Sequence, residues 1–239
     1  MPLWDCDAAL QIALDEVLLN RGPGGSRTWV PDAPAVVLGV SSRACDEIDR
    51  QACEADGLRI LRRMSGGAAV LLSPGVACFS AFLPYEAFAE AASIGGAYRL
   101  AARAVAEALA RLGIPTTFEP PCDLACRGRK LVGIAQARRR SSALVHGTVP
   151  VVLDLESMGR YLEPPPQEPA YRAGRPHVDF MTAAGREVAA CGTADVVREL
   201  ARAFDAARLP RLDAGPDSLA DAQDLAATKY RTDAWTFRR

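Results

Sequence analysis

The sequence predicts an α+β fold in which a mostly antiparallel sheet is flanked by helices. Two patterns carry this. Stretches of helical period are separated by blocks of short strand-like segments, and tight turns such as Ser73-Pro74-Gly75 and Arg127-Gly128 sit inside those blocks. The 239 residues, 49% hydrophobic and 24% charged, suffice to bury a sizeable core, and one domain spanning 1–239 is expected.

From the N-terminus, Asp7 to Asn20 sets Ala9, Ile12, Ala13 and Val17 on one helical stripe, and Gly22-Pro23 stops the helix. Arg27 to Pro31 and Ala35 to Val40 read as a strand pair across Asp32-Ala33-Pro34. Asp46 to Ala55 reads as a short helix ended by Gly57, and Leu58 to Arg63 as a strand. Ala68 to Leu72 and Ala77 to Leu83 read as a hairpin over Ser73-Pro74-Gly75. The longest helix is expected from Ser93 to Leu112, burying Tyr98, Ala101, Ala102, Val105, Ala108, Leu109 and Leu112 before Gly113 ends it. A strand-rich block covers Thr116 to Leu153, and the proline-dense Glu163 to Pro169 reads as a surface loop. Thr193 to Ala207 and Ser218 to Tyr230 are the last two helices, each with a Ser/Thr N-cap.

The formal net charge of −1 speaks against a nucleic-acid binder held by bulk electrostatics. No apolar run approaches a membrane span, and Met1-Pro2-Leu3-Trp4-Asp5 lacks the regions of a secretory signal, so a cytoplasmic protein is expected. Seven cysteines, at 6, 45, 53, 78, 122, 126 and 191, form an odd, scattered set that reads as reduced thiols. Two histidines, His146 and His177, and no Cys-x-x-Cys argue against a structural zinc site, and no metal ligands are assigned.

Two stretches carry candidate chemistry. In Arg62-Arg63-Met64-Ser65-Gly66-Gly67-Ala68-Ala69-Val70, successive glycines let backbone N–H groups turn toward an anion while the arginines add charge. Ser-Gly-Gly alone would read as a plain turn between strands. In Arg127 to Thr148, Arg127-Gly128 has hairpin-turn chemistry, after which Leu131, Gly133 and Ala135 alternate with Lys130, Val132 and Ile134. Lys130 in isolation would read as a solvated residue guarding an edge strand. His146 follows Ala143-Leu144-Val145, so a packed histidine tied to backbone stands level with a functional one.

Together these stretches resemble the lipoate–protein ligase and octanoyltransferase family, relatives of the biotin–protein ligases. The family's Arg-Arg-x-Ser-Gly-Gly-Gly-x-Val loop is matched from Arg62 to Val70, with Ala68 in place of the third glycine. Its Gly-Arg-Lys strand is matched at Gly128 to Lys130, and its His-Gly-Thr triplet at His146 to Thr148. Thr228 to Trp235 resembles the segment that ends the catalytic domain. The resemblance implies a biotin-protein-ligase-like catalytic domain without the small C-terminal domain of longer ligases. It implies that Arg62, Arg63, Ser65, Gly66, Gly67 and Ala68 cradle the acyl chain and phosphate of an acyl-adenylate, the Ala68 methyl narrowing the approach. Lys130 is then the catalytic residue, its ammonium aimed at the α-phosphoryl and acyl carbonyl oxygens. Asp123 organises nucleotide or metal, and Gln136, His146, Gly147 and Thr148 line the same pocket.

Two enzyme readings follow from the resemblance. As a ligase, lipoate or octanoate reacts with ATP and Mg²⁺ to give an acyl-adenylate. A lysine of a lipoyl-domain acceptor protein then takes the acyl group, with a separate accessory protein completing the enzyme. As a transferase, octanoyl passes from acyl-carrier protein to an enzyme thiol, for which Cys122, eight residues before Lys130, is the candidate. The Cys-Phe-containing segment of one transferase branch is not found, and Cys191 sits in surroundings unlike those of the other, so the ligase is preferred. Arg62 to Val70 does not match the Gly-Arg-Gly-Arg loop of biotin ligases. A non-catalytic binding protein that keeps the fold is the remaining class, and it rests on Ala68. Arg138-Arg139-Arg140 is expected to steer docking of an acidic lipoyl domain. Tyr171-Arg172, Arg175 and His177 are assigned no chemistry.

Overall fold

The computed structural model describes residues 7–22 and 24–239; Met1 to Asp5, Cys6 and Pro23, on which readings were placed above, lie outside the described residues. Helix α1 (Ala8–Arg21) is capped by Asp7, whose carboxylate accepts from the N–H groups of Ala9 and Leu10, and it ends at Gly22 in the left-handed conformation. More than one stripe is covered, since Gln11 and Asp15 are buried with the apolar residues. The chain continues through β1 (Gly25–Trp29), β2 (Ala35–Leu38), α2 (Ala44–Glu47), α3 (Arg50–Ala55), β3 (Arg59–Arg62), β4 (Val70–Leu72) and β5 (Val76–Pro84). Then come α4 (Ile94–Arg111), β6 (Thr117–Glu119), β7 (Asp123–Cys126), β8 (Arg129–Arg138) and β9 (Ser142–Pro150).

Six strands form an antiparallel sheet in the order β1-β5-β9-β8-β7-β6, and a second sheet has the order β3-β2-β4. β2 pairs parallel to β3 and antiparallel to β4. Two expected hairpins are thereby corrected: β1 and β2 lie in different sheets, and so do β4 and β5. Asp32-Ala33-Pro34 and Ser73-Pro74-Gly75 do turn the chain, but each turn carries it across the gap between sheets. Local turn chemistry gives the reversal and leaves the pairing partner open. The helix expected from Asp46 to Ala55 is also two helices. Ile48 is extended and bridges to Leu162, and the Asp49 carboxylate caps α3 by accepting from the Ala52 N–H.

Helix α4 starts at its Ser93 cap, as its pattern predicts. The β7–β8 hairpin turns on Arg127 and Gly128, with φ of 49° and 73°, the positive pair that a type I′ turn requires. After β9 the chain is irregular, with α5 (Leu155–Tyr161), α6 (His177–Phe180) and α7 (Ala184–Glu187) as its short helices, and Glu163 to Pro169 has neither helix nor ladder. It closes with α8 (Thr193–Ala206), α9 (Pro216–Leu225) running into a π-turn over Ala226–Tyr230, and α10 (Asp233–Thr236). α8 and α9 are entered from Gly192 and Gly215, not from the expected Ser/Thr caps.

The large sheet is covered on both faces. One core packs Phe79, Leu83, Leu131 and Val145 against α4 and α8, through Leu100, Val105, Leu200 and Phe204. The other packs Cys78, Phe82 and Leu144 against α1 and Tyr230 of the π-turn. Among the described residues no helix is long and apolar enough to cross a membrane.

Candidate active site

Two cavities meet at Lys130. The first has a largely apolar wall that includes Ile12, Trp29, Val37, Leu72, Cys78, Phe79 and Ile134. The second is lined by Leu71, Val76, Leu153, Met158, Leu162, Phe180 and Met181 together with Glu47, Glu163, Arg172 and His177. Ala68, Ala69, Val70, Lys130, Gly133 and Thr148 line both, and of these six only Lys130 is charged.

A bulge sets the direction of Lys130. Leu124 pairs with Val132 while Ala125 pairs with Lys130, so Leu131 is the extra residue on β8. Plain alternation would have given Lys130 the same surroundings as Val132; instead Val132 is fully buried and Lys130 shares the cavity with Gly133 and Ala135. Its Nζ stands 2.9 Å from Asp123 Oδ1, and Asp123 Oδ2 accepts from the Tyr171 hydroxyl at 2.9 Å. Burial and then the Asp123 charge push the Tyr171 phenol up, so it remains a donor. The Lys130 side chain is 25% exposed and that of Asp123 5%, so the ammonium reaches the cavity with its counter-ion behind it.

The glycine-rich segment is held from inside by its arginines. Arg62 is 0% exposed and donates to the carbonyls of Gly39, Ser42 and Thr236 at 2.6, 2.7 and 2.7 Å. Arg63 donates to the carbonyls of Val37, Gly66 and Ala68 and, through Nε, to Ser65 Oγ at 3.0 Å. Burial brings the Arg63 guanidinium down to about 10, which leaves it charged near neutrality. The expectation that both arginines offer charge to a ligand is corrected: Arg62 lines neither cavity, and the Arg63 donors are taken up by the Val37 carbonyl and the segment's own oxygens. What this achieves is orientation. With the Gly66 and Ala68 carbonyls drawn inward, amide N–H groups remain for outside partners, and that of Ala69 donates to Glu47 Oε2 at 2.6 Å.

Gly67 has φ +88°, and a Cβ there would lie 2.9 Å from Arg63 Nη2. Ala68 is not among the residues with positive φ, so its methyl sits at the shared rim without backbone strain. His146 on β9 lines the first cavity and is tied to side chains, not backbone: Nε2 is 2.5 Å from Ser65 Oγ and Nδ1 is 3.5 Å from Asp15 Oδ2. A Cβ on Gly147 would come 2.5 Å from the Gly133 carbonyl and 2.7 Å from the Phe79 ring, so strand packing alone demands that glycine.

Of the sequence-predicted residues, Arg63, Gly67, Ala68, Cys122, Asp123, Lys130, His146, Gly147 and Thr148 are brought together around the first cavity. Arg62, Ser65, Gly66 and Gln136 are not part of its wall; Gln136 donates instead to the Ile94 carbonyl at 3.1 Å. Burial, then the Asp123 carboxylate, raise the Cys122 thiol, and Lys130 opposes this only in part. Arg138 donates to the Ala91 and Ala92 carbonyls, and Arg139 engages Asn20 and stands 3.7 Å from Glu16. Arg138 and Arg139 are thereby tied to the protein's own groups. Sequence reasoning missed Glu47 and Asp15. The signal for Asp15 was available, as a carboxylate three residues past Ile12 on an apolar helix; Glu47, in a four-residue helix, gave none.

Residues 7–205 match the family described as the lipoyl protein ligase A/B catalytic domain. An octanoyltransferase LipM from Kyrpidia tusciae is 29% identical over 97% of this chain and 95% of its own length. A LipM from Exiguobacterium sp. is 29% identical over 62% of this chain and 63% of its own. A probable lipoate-protein ligase A from Mycoplasma pneumoniae is 32% identical over 63% of this chain and 44% of its own. The chain thus spans under two thirds of the length of two of these three relatives. A bipartite lipoate protein ligase from Thermoplasma acidophilum, described with its E2 lipoyl domain, superposes with a TM-score of 0.82 at 23% identity, covering 96% of this chain and 91% of that one. The fold is shared.

Proposed function

The chain belongs to the lipoyl protein ligase A/B catalytic-domain family, and from that premise we propose that it is a lipoate–protein ligase, activating lipoate or octanoate with ATP for transfer to a lysine of a lipoyl-domain acceptor. The observation that carries this is Lys130, the one charged residue that, among the described residues, lines both cavities. The acyl chain fills the first cavity and the nucleotide the second. The acyl carboxylate attacks the α-phosphorus and pyrophosphate leaves. The Lys130 ammonium stabilises charge gathering on both the phosphoryl and the carbonyl oxygen, and the amide groups of Gly67 and Ala68 add donors. In the second half-reaction the acceptor amine attacks the same carbonyl and AMP leaves.

Mg²⁺ accompanying ATP would be held in part by carboxylates of this chain and would neutralise phosphate charge. Glu47 and Asp123 are the carboxylates suitably placed, one lining each cavity. The bipartite Thermoplasma enzyme supports a separate accessory protein as partner. No enzyme thiol is required, in keeping with a Cys122 whose thiol is raised where a nucleophile needs it lowered.

The test is lipoate- or octanoate-dependent exchange of pyrophosphate into ATP, which should be present in the wild type and lost in Lys130→Ala. The second reading, octanoyl transfer from acyl-carrier protein, is favoured by the near full-length similarity to a LipM. Cys122→Ser separates the two. Full exchange in that variant supports the ligase, whereas an octanoyl thioester that is trapped on the wild type and abolished by the substitution would replace it with the transferase.

A further inference from the structure

A buried chain of polar side chains runs from helix α1 to the glycine-rich segment. Asp15 is 3% exposed in an otherwise mostly apolar helix. Its Oδ1 accepts from Arg27 Nη1 at 2.6 Å; its Oδ2 accepts from Ser80 Oγ at 2.8 Å and stands 3.5 Å from His146 Nδ1. Across the imidazole, Nε2 is 2.5 Å from Ser65 Oγ, which also accepts from Arg63 Nε at 3.0 Å. Ser80 and His146 are direct partners across β5 and β9, so the sheet register itself sets both groups around the carboxylate.

We propose that Asp15, fixed by Arg27, is a positioning residue that holds His146 as the neutral Nδ1–H tautomer, so that the bare Nε2 accepts the Ser65 hydroxyl and anchors the glycine-rich segment. A carboxylate facing Nδ1 selects the proton there, and a ring nitrogen so matched leaves the other as acceptor. Ser65 Oγ already accepts from Arg63, which leaves its own hydrogen to donate. Burial alone would raise the Asp15 carboxyl, but Arg27, His146 and Ser80 together hold it below its ordinary value, so it remains an anion. The segment anchored in this way carries Gly67, Ala68 and Ala69 at the rim of the cavity. Small misplacements of groups that position a reacting centre lower rates steeply. The catalytic consequence rests on the ligase reading; the tautomer does not.

The first measurement is the nitrogen-15 spectrum of the imidazoles at neutral pH, where two histidines give two assignable spin systems. His146 is expected as Nδ1–H in the wild type. Asp15→Asn, which presents an amide donor to Nδ1, is expected to convert it to Nε2–H. In pyrophosphate exchange, Asp15→Asn should lower kcat by roughly tenfold to hundredfold with KM for the acyl substrate little changed. Ser65→Ala should remove most of the same amount, and the double variant should be no slower than the worse single one. An Nε2–H or doubly protonated His146 in the wild type overturns the proposal, as do losses that multiply in the double variant. If Asp15→Asn does not fold, the wild-type tautomer decides. A wild type with Nδ1–H His146 and no exchange activity upholds the chain and overturns the ligase reading instead.

Discussion

The two cavities that meet at Lys130 are built in different ways. The first is walled by regular elements, α1, β1, β2, β5, β8 and β9, and its charges are paired within the protein: Asp15 with Arg27, Arg63 with carbonyls, Asp123 with Lys130. The second takes much of its wall from the irregular stretch after β9, and His177 there makes no side-chain hydrogen bond among the described residues. Shape is set by secondary structure in one and by the path of a loop-rich segment in the other. A site that must exclude water around an acyl chain needs the first kind of wall, whereas in the second Arg172 pairs with Glu168 at 3.3 Å and Glu47 accepts from the Ala69 N–H at 2.6 Å.

The sharpest way to break this comparison is at the junction. Lys130→Ala should lower acyl-dependent pyrophosphate exchange by about 10²–10³-fold, the usual consequence of removing one charge-stabilising donor. Substrate binding should change far less, because each cavity keeps the rest of its wall. A loss below about tenfold would mean that the reacting groups meet elsewhere.

Next in size is a stability effect confined to the first cavity's supports. Arg62 lies behind the glycine-rich segment and satisfies three carbonyls, although its Nη2 has no partner among the described residues. Arg62→Met should lower the free energy of unfolding by about 3 kcal/mol, since stranded carbonyls outweigh relief of one orphaned N–H. Urea denaturation reads it directly. A change under about 1 kcal/mol would show that water or rearranged backbone takes the guanidinium's place.

A smaller, pH-dependent effect belongs to the second cavity. Burial, with help from Arg172 and Lys130, holds the His177 imidazole below its ordinary 6.5. The unfolded chain then binds that proton more readily than the folded one, so no stability is lost above pH 6.5 and stability falls as pH drops below it. His177→Gln should therefore flatten the fall in unfolding free energy between neutral and mildly acidic buffer. Equal acid sensitivity in the two proteins would count against a shifted His177.

The same division explains what could be read from the sequence. Period-2 and period-3.6 patterns located α1, α4 and β8, while Lys130, His146 and Thr148 were singled out by motifs resembling those of the ligase family. Pairing across sheets was illegible at β1/β2 and β4/β5, because a turn's composition does not say which sheet its second arm joins. The orientation of Lys130 depended on a bulge at Leu131 that alternation cannot signal. In the second cavity Glu47, Arg172 and His177 come from segments of four residues or fewer, too short to carry a period.

The smallest expected effect concerns Ala68, at the rim common to both cavities. The sequence suggests that its methyl narrows the ligand approach, yet the backbone there is ordinary, and Gly67, with φ +88°, is the position where a side chain would be strained. Ala68→Gly should therefore change exchange activity by less than about threefold. It should lower stability by about 0.5–1 kcal/mol through the added freedom of the unfolded chain. Activity rising tenfold or more would show instead that the methyl constricts the passage from one cavity to the other, so that the junction is limited by width and not by the charge at Lys130. The two outcomes differ in kind: a stability change alone leaves Ala68 as part of the first cavity's rigid wall, whereas a gain in rate would make it the narrowest point between two spaces that are otherwise continuous.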